Sequence, residues 1–283
     1  MELERTADGS YTLYVPELDE HYHSVKGAMT ESQHIFIEMG LKHSPASEPR
    51  ILEIGLGTGL NAFLTLIAAG ETQRKVHYTG IERYPLTKET LKQLDYPHMI
   101  GKQHEEDYYA IHQAPWGEDA VITPWFTLHK VEGDFTEINS QGEGVSKHAL
   151  CFGQTHGSAP TVAVGANPWV RPAAKRNFDT PSSQEGKMDT PAFDIIYFDA
   201  FAPEKQPEMW EQSLFNTLYN ILNDGGILTT YCAKGVVRRM LQTAGFTVER
   251  LPGPPGGKRE ILRATKDATV KLSFINNSSF TDE

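Results

Sequence analysis

The stretch Ile51-Leu52-Glu53-Ile54-Gly55-Leu56-Gly57-Thr58-Gly59-Leu60-Asn61 decides how this chain is to be read. Its first four residues make a short apolar run broken by one acid, which suits a buried strand. Three alternating glycines follow, and residues 60–69, rich in Ala and Leu, read as a helix. Glycines between a strand and a helix let the backbone turn sharply and let a ligand approach with no Cβ in the way. Taken alone the pattern is weak, because a tight strand-to-helix turn would explain it as well. A dinucleotide fingerprint would place a small residue where Leu60 stands, which disfavours a pyrophosphate. Glu53 inside an apolar strand needs a partner, and the ammonium group of a ligand would serve.

The same rhythm continues outward. Strands are expected at 76–81, 126–131, 193–198 and 227–231, with helices at 87–94, 208–222 and 236–244. A final hairpin pairs 246–251 with 260–264 across a Pro/Gly-rich turn. Short apolar runs alternating with amphipathic stretches give an α/β fold with a mostly parallel seven-stranded sheet and a C-terminal antiparallel hairpin. Residues 1–49 are expected to form a small N-terminal β-rich cap leading into a helix near 31–40. The main domain is then 50–268, and 269–283 form a C-terminal tail. Within the domain, 139–190 are rich in Ser, Gly, Pro and Thr and read as a partly mobile insertion.

Hydrophobic residues make up 39% of the 283 and charged ones 22%, ordinary for a soluble globular domain. No apolar run approaches the length of a membrane span, and Met1-Glu2-Leu3-Glu4-Arg5 lacks the basic start of a signal peptide, so a cytoplasmic location is expected. Two cysteines far apart, Cys151 and Cys232, argue against a disulfide framework, and no His, Cys or acid falls at a metal-ligand spacing. The net charge of −11 excludes a generally electropositive nucleic-acid binder. The stretch 234–266 is nevertheless locally basic, as a confined anion site or a solvated face would be.

Three acids mark the sheet edge where ligands bind in open α/β folds. Glu82 ends the second strand, placed to accept from both hydroxyls of a ribose. Asp134 follows the third and could accept from an adenine amino group, while Glu53 lies within the first. Acids for an amine and a ribose, with no phosphate-loop lysine, suit S-adenosylmethionine better than NAD. Asp199 ends the fourth strand, followed by Ala200, Phe201, Ala202 and Pro203. A carboxylate there can take a proton from an incoming nucleophile. Phe201 can form an apolar wall, and Trp210 is read as core.

The chain resembles the class I S-adenosylmethionine-dependent methyltransferases of Rossmann-like fold. Within them it is similar to the methyltransferase domains of the MnmC family, which act in tRNA wobble-uridine modification. Four stretches carry the likeness: 22–32 (YHSVKGAMTES), 52–61 (LEIGLGTGLN), 199–210 (DAFAPEKQPEMW), and the pair 230–239 and 256–262. The resemblance implies methyl transfer to the primary amine of 5-aminomethyl(-2-thio)uridine in tRNA, without the flavin oxidoreductase half that accompanies bifunctional members. The enzymes that supply the aminomethyl-uridine then stand as further partners.

The catalytic candidates are Asp199 and Phe201, and the cofactor-binding set is Glu53, Gly55, Gly57, Gly59, Asn61, Glu82 and Asp134. Lys26, Lys205, Lys234, Arg238, Arg239, Lys258 and Arg259 are candidates for holding the tRNA backbone. Two alternatives stand beside this reading. One is a small-molecule amine transferase of polyamine-synthase type, for which a net −11 would suit a cationic substrate. The other is a non-catalytic S-adenosylmethionine-binding module.

Overall fold

The computed structural model describes residues 1–140 and 193–267. The insertion from 141 onward and the C-terminal tail lie outside the described residues, as does Cys151. Eleven strands fall into two sheets among the described residues. The first is a small antiparallel sheet of β1 (Glu2–Arg5), β2 (Tyr11–Val15) and β3 (Glu20–His21), which forms the expected N-terminal cap.

The main sheet contains β4 (Arg50–Ile54), β5 (Val76–Glu82), β6 (Asp119–Thr123), β7 (Phe126–Glu132), β8 (Phe193–Phe198), β9 (Leu222–Thr230), β10 (Thr247–Pro252) and β11 (Glu260–Thr265). Its order is β10-β11-β9-β8-β4-β5-β7-β6. The central pairs β7–β5, β5–β4, β4–β8 and β8–β9 are parallel, whereas β11 runs antiparallel to β9 and to β10. Chain order reverses between β4 and β8, which is where a crevice opens at the C-terminal ends of the strands.

The sheet has eight strands rather than the expected seven. The addition, β6, is short and half-exposed, and it pairs antiparallel with β7 across a tight turn at the sheet edge. With only one neighbour and one face to bury, it lacks the apolar run that announces a central strand.

Helices cover both faces: α1 (Ala28–Ser32), α2 (Leu60–Thr72), α3 (Lys88–Leu94), α4 (Tyr96–Ile100), α5 (Glu105–Gln113), α6 (Phe135–Ser140), α7 (Gln212–Ile221) and α8 (Gly235–Ala244). Side chains alternate along each strand, so β8 sends Ile195 and Tyr197 to one core and Ile196 and Phe198 to the other. The first core holds Phe36, Phe63 and Tyr78. The second holds Trp210, Leu214, Phe215 and Leu218, confirming Trp210 as core. The helix expected at 208–222 divides in two: a 3-10 turn at Pro207–Trp210 ends on extended Glu211 before α7 begins. Trp210 explains the break, since its indole Nε1 donates to the Phe201 carbonyl at 2.7 Å and pins the turn to the loop after β8. The helix expected at 31–40 is instead α1 continued by a π-helical turn, Gln33–Glu38.

Candidate active site

The loop after β4 is anchored before it reaches the cavity. The amides of Gly55 and Leu56 both donate to the Ile81 carbonyl, and Asp199 N donates to the Ile54 carbonyl at 3.2 Å. These bonds bring the ends of β4, β5 and β8 to one edge. Gly55 packs against the backbone of Asp199. Gly57 has φ +50°, and a Cβ there would lie 2.9 Å from the Tyr22 ring. Gly59 caps α2 at φ +71°, and a Cβ would collide with the His112 ring at 2.7 Å. Left-handed backbone beneath a close ring leaves no room for another residue type.

A cavity of about 830 Å³ opens over this loop, in the size range of small-molecule sites. Gly55, Gly57, Glu82 and Asp134 line one part of it, and Asp199, Phe201 and Tyr231 another. Tyr22 reaches in from the cap and meets Phe201 edge-on, with ring centres 5.2 Å apart. His23 is buried beside it, with Nε2 2.8 Å from the Thr58 hydroxyl, and burial pushes its imidazole down to about 4, so it stays neutral.

Asn61 is the structural link at the centre. Its Nδ2 donates one hydrogen bond to Glu53 Oε1 and one to Asp199 Oδ2, both at 2.8 Å. A single amide therefore ties two carboxylates together from the first turn of α2. Glu53 is fully buried beneath the loop, outside the cavity lining, and among the described residues its Oε2 has no hydrogen-bond partner. Burial holds its carboxyl well above the usual carboxylate range. The residue expected to meet a ligand ammonium group thus fixes Asn61 instead, because β4 turns its side chain toward α2 and Tyr78 rather than toward the crevice. Gly59 and Asn61 likewise lie behind the cavity wall.

Asp199 is half-buried on the wall itself. Burial pushes its carboxyl up to about 7, against the Asn61 hydrogen bond, which acts to lower it. Among the described residues Asp199 Oδ1 has no partner, so one oxygen is fixed and the other is open to a donor.

Glu82 uses Oε2 to accept from Gly57 N at 2.8 Å and Oε1 to accept from Tyr84 N at 2.7 Å, bracing the glycine loop from the end of β5. Asp134 caps α6, accepting from the Thr136 amide and hydroxyl, and its other oxygen pairs with Arg83. Both acids border the cavity, but with their oxygens already engaged by the protein.

The expected cationic residues divide by partner. Lys205 pairs with Asp19 at 3.1 Å, Lys234 with Glu204, and Lys258 with Glu31 at 2.9 Å. Among the described residues Lys26, Arg238, Arg239 and Arg259 form no ion pair, and of these only Arg259 borders the cavity. Residue-by-residue reasoning did not single out Glu31, Tyr231, Arg83 and Tyr84, which also line it. Glu31 carried a signal, as the one acid in the 22–32 stretch. The others are ordinary loop residues until the strands align them.

This fold and site define the class: the chain has the Rossmann-like methyltransferase fold, and residues 183–267 match the family model described as S-adenosyl-L-methionine-dependent methyltransferase. The particular relatives are tRNA-modifying proteins. The chain is 29% identical over 259 residues to the tRNA 5-methylaminomethyl-2-thiouridine biosynthesis bifunctional protein MnmC of Cupriavidus metallidurans. It is 30% identical over 258 residues to the protein of that name from Cupriavidus necator. Each match covers 89% of this chain but 32% of the relative, so the chain spans about a third of their length. The crystal structure of MnmC2 from Aquifex aeolicus superposes with a TM-score of 0.65 at 24% identity, covering 94% of this chain and 70% of that one, a likeness of fold. Among the described residues no helix is long and apolar enough to cross a membrane.

The residues present fit S-adenosylmethionine. Gly55 and Gly57 line the cavity as a cradle of bare backbone, with the Tyr22 ring packed on Gly57, and the carboxylate of Glu82 stands at its rim. The Phe201 and Tyr22 rings supply an apolar wall suited to a sulfonium.

Proposed function

We propose that the protein is an S-adenosylmethionine-dependent N-methyltransferase acting on the primary amine of 5-aminomethyl(-2-thio)uridine at the tRNA wobble position. The observation that carries this reading is one cavity with the glycine loop and Glu82 on one side and the open oxygen of Asp199 on the other. The named activity of the MnmC relatives supports the substrate, and their greater length leaves it a proposal for this chain.

When bound, S-adenosylmethionine would supply an electrophilic methyl group for the amine nitrogen, with the C–S electron pair left on sulfur. A primary amine is protonated near neutral pH and cannot attack in that form. Asp199, ionised above about 7, accepts one ammonium proton through Oδ1 and points the freed lone pair into the cavity. Asn61 holds the other oxygen, so the carboxylate keeps its orientation. Phe201 and Tyr22 exclude water from the wall and offer a face for the uracil. Arg259 at the rim, with Arg238, Arg239 and Lys26 outside the cavity, holds the tRNA backbone, and Lys205 and Lys234 join by exchanging their carboxylate partners for phosphate. Aminomethyl-forming enzymes of the cytoplasm would supply the substrate.

The test is incubation with methyl-labelled S-adenosylmethionine and hypomodified tRNA, followed by digestion and identification of the nucleoside. Label in 5-methylaminomethyluridine or its thiolated form supports the proposal. The acids Glu20, Glu31, Glu82 and Glu260 around the cavity favour a second reading, a cationic small-molecule amine as acceptor. Label in a polyamine supplied in a parallel incubation, and none in tRNA, would establish that alternative.

A further inference from the structure

A second carboxylate in the same cavity has no place in the reaction so far. Glu31, on α1, is only 7% exposed. Its Oε2 accepts from Ser24 N at 3.0 Å, and its Oε1 accepts from Lys258 Nζ at 2.9 Å. That ammonium group lies 3.7 Å from the centre of the Tyr231 ring, whose negative face attracts a cation. The Tyr231 hydroxyl in turn donates to the Ala200 carbonyl at 2.8 Å. A continuous chain of contacts thus runs from the cap, through the tip of the β10–β11 hairpin, to the residue beside Asp199. A carboxylate this buried is retained only where it is paired. Here the pair borders the cavity, with Glu31 buried and the Lys258 side chain partly open to solvent, and it joins three segments distant in sequence.

We propose that Glu31 and Lys258 are positioning residues for Asp199: seated on Tyr231, their ion pair holds the 199–201 segment against the cavity and sets the charge against which Asp199 takes its proton. This rests on the role given to Asp199 above. The groups that face Asp199 are Asn61 from α2, Glu53 and Tyr78 from the sheet beneath, Tyr231 after β9, Glu31 from the cap and Lys258 from the hairpin. Glu31 opposes ionisation of Asp199 and Lys258 favours it. Removing one partner at a time therefore moves the titration of Asp199 in opposite directions. A purely mechanical clasp would move it in neither.

The experiment follows the Asp199 carboxyl by ¹³C NMR in aspartate-labelled protein, with Asp199→Asn for assignment, alongside pH profiles of kcat/KM for methylation of tRNA. Lys258→Met is expected to raise the midpoint of Asp199 by roughly half a pH unit or more, and Glu31→Gln to lower it by a similar amount. Lys258→Arg, which keeps the charge, should restore the wild-type midpoint. Should Glu31→Gln fail to fold, the two Lys258 variants decide the matter. Unmoved midpoints in folded variants, with only melting temperature or loop order changed, would overturn the proposal. The NMR titration needs no turnover. Shifts as expected in a protein that transfers no methyl to tRNA would therefore uphold the positioning pair and remove only the tRNA reading.

Discussion

Asp199 carries the proposed proton transfer, and its behaviour follows from one neighbour and one environment. Asn61 fixes Oδ2 while burial raises the carboxyl to about 7. If it is the proton acceptor, kcat/KM should fall about tenfold per pH unit below about 7, as the carboxylate protonates. Asp199→Asn should cut kcat by roughly 10²–10⁴-fold with cofactor affinity nearly unchanged, as read by turnover assay and calorimetric titration. A comparable loss of cofactor binding would make the residue structural. The stability sign is also defined. A carboxyl with a raised folded-state value favours folding when protonated, and that contribution is lost as pH rises through about 7. Asp199→Asn should therefore raise the melting temperature more at pH 8 than at pH 5. At this scale the acids at strand ends were visible in the sequence because they interrupt apolar runs. The amide that joins Glu53 to Asp199 was not, since position 61 meets position 199 only after the sheet forms.

Elements turn these side chains toward one another, and their sequence signals varied in strength. The central parallel strands carry clustered Ile, Leu, Val, Phe and Tyr interrupted by a few polar residues, and β4, β5, β7 and β8 lie where expected. β6 at the edge and the divided 207–221 helix did not, because one depends on a single neighbour and the other on a tryptophan bonded to a distant carbonyl. α7 is held by its buried face. Leu214, 2% exposed in the core with Phe215 and Leu218, should cost about 2–5 kcal/mol when replaced by alanine, measured by urea unfolding with the m-value unchanged. At the glycine loop the expectation is different. Gly57→Ala puts a methyl into left-handed backbone 2.9 Å from Tyr22, at a strain of roughly 1–3 kcal/mol. Cofactor affinity should drop with it, and unaltered affinity would show that the loop does not form the cradle.

The whole molecule joins the antiparallel cap to the sheet through polar contacts that respond to pH. Asp8 accepts from the Thr6 and Ser10 hydroxyls and from the Thr30 amide and hydroxyl. Although burial acts to raise it, these bonds hold its carboxyl well below the usual range. His23 and His112, kept neutral by burial, are pushed down to about 4 and about 3. Both kinds of group favour the fold above their unfolded-state values, so their contribution to stability declines as pH falls from about 6.5 toward 4 and further as Asp8 protonates, opposite in sign to that of Asp199. Denaturation midpoints followed from about pH 7 down to well below pH 4 measure this, and Asp8→Asn should weaken the dependence below about pH 4. On an acidic background, the proposed tRNA binding must be local. Arg239→Glu with Arg259→Glu should weaken it and reduce the slope of log affinity against log salt by roughly one per lost contact. An unchanged slope would exclude the pair.

The sequence by itself determined the succession of buried strands, the glycine turn and the acids that follow the strands, because hydrophobic periodicity and backbone freedom are local properties. Tertiary structure alone decided which of those acids face the cavity. It turned Glu53 inward onto Asn61, engaged Glu82 and Asp134 with the protein's own donors, and brought Glu31, Lys258 and Tyr231 to Asp199 from three distant segments. The reason is physical: whether a carboxylate meets solvent, ligand or another side chain depends on the strand and helix packed beside it, and those neighbours are assembled only by the closed sheet.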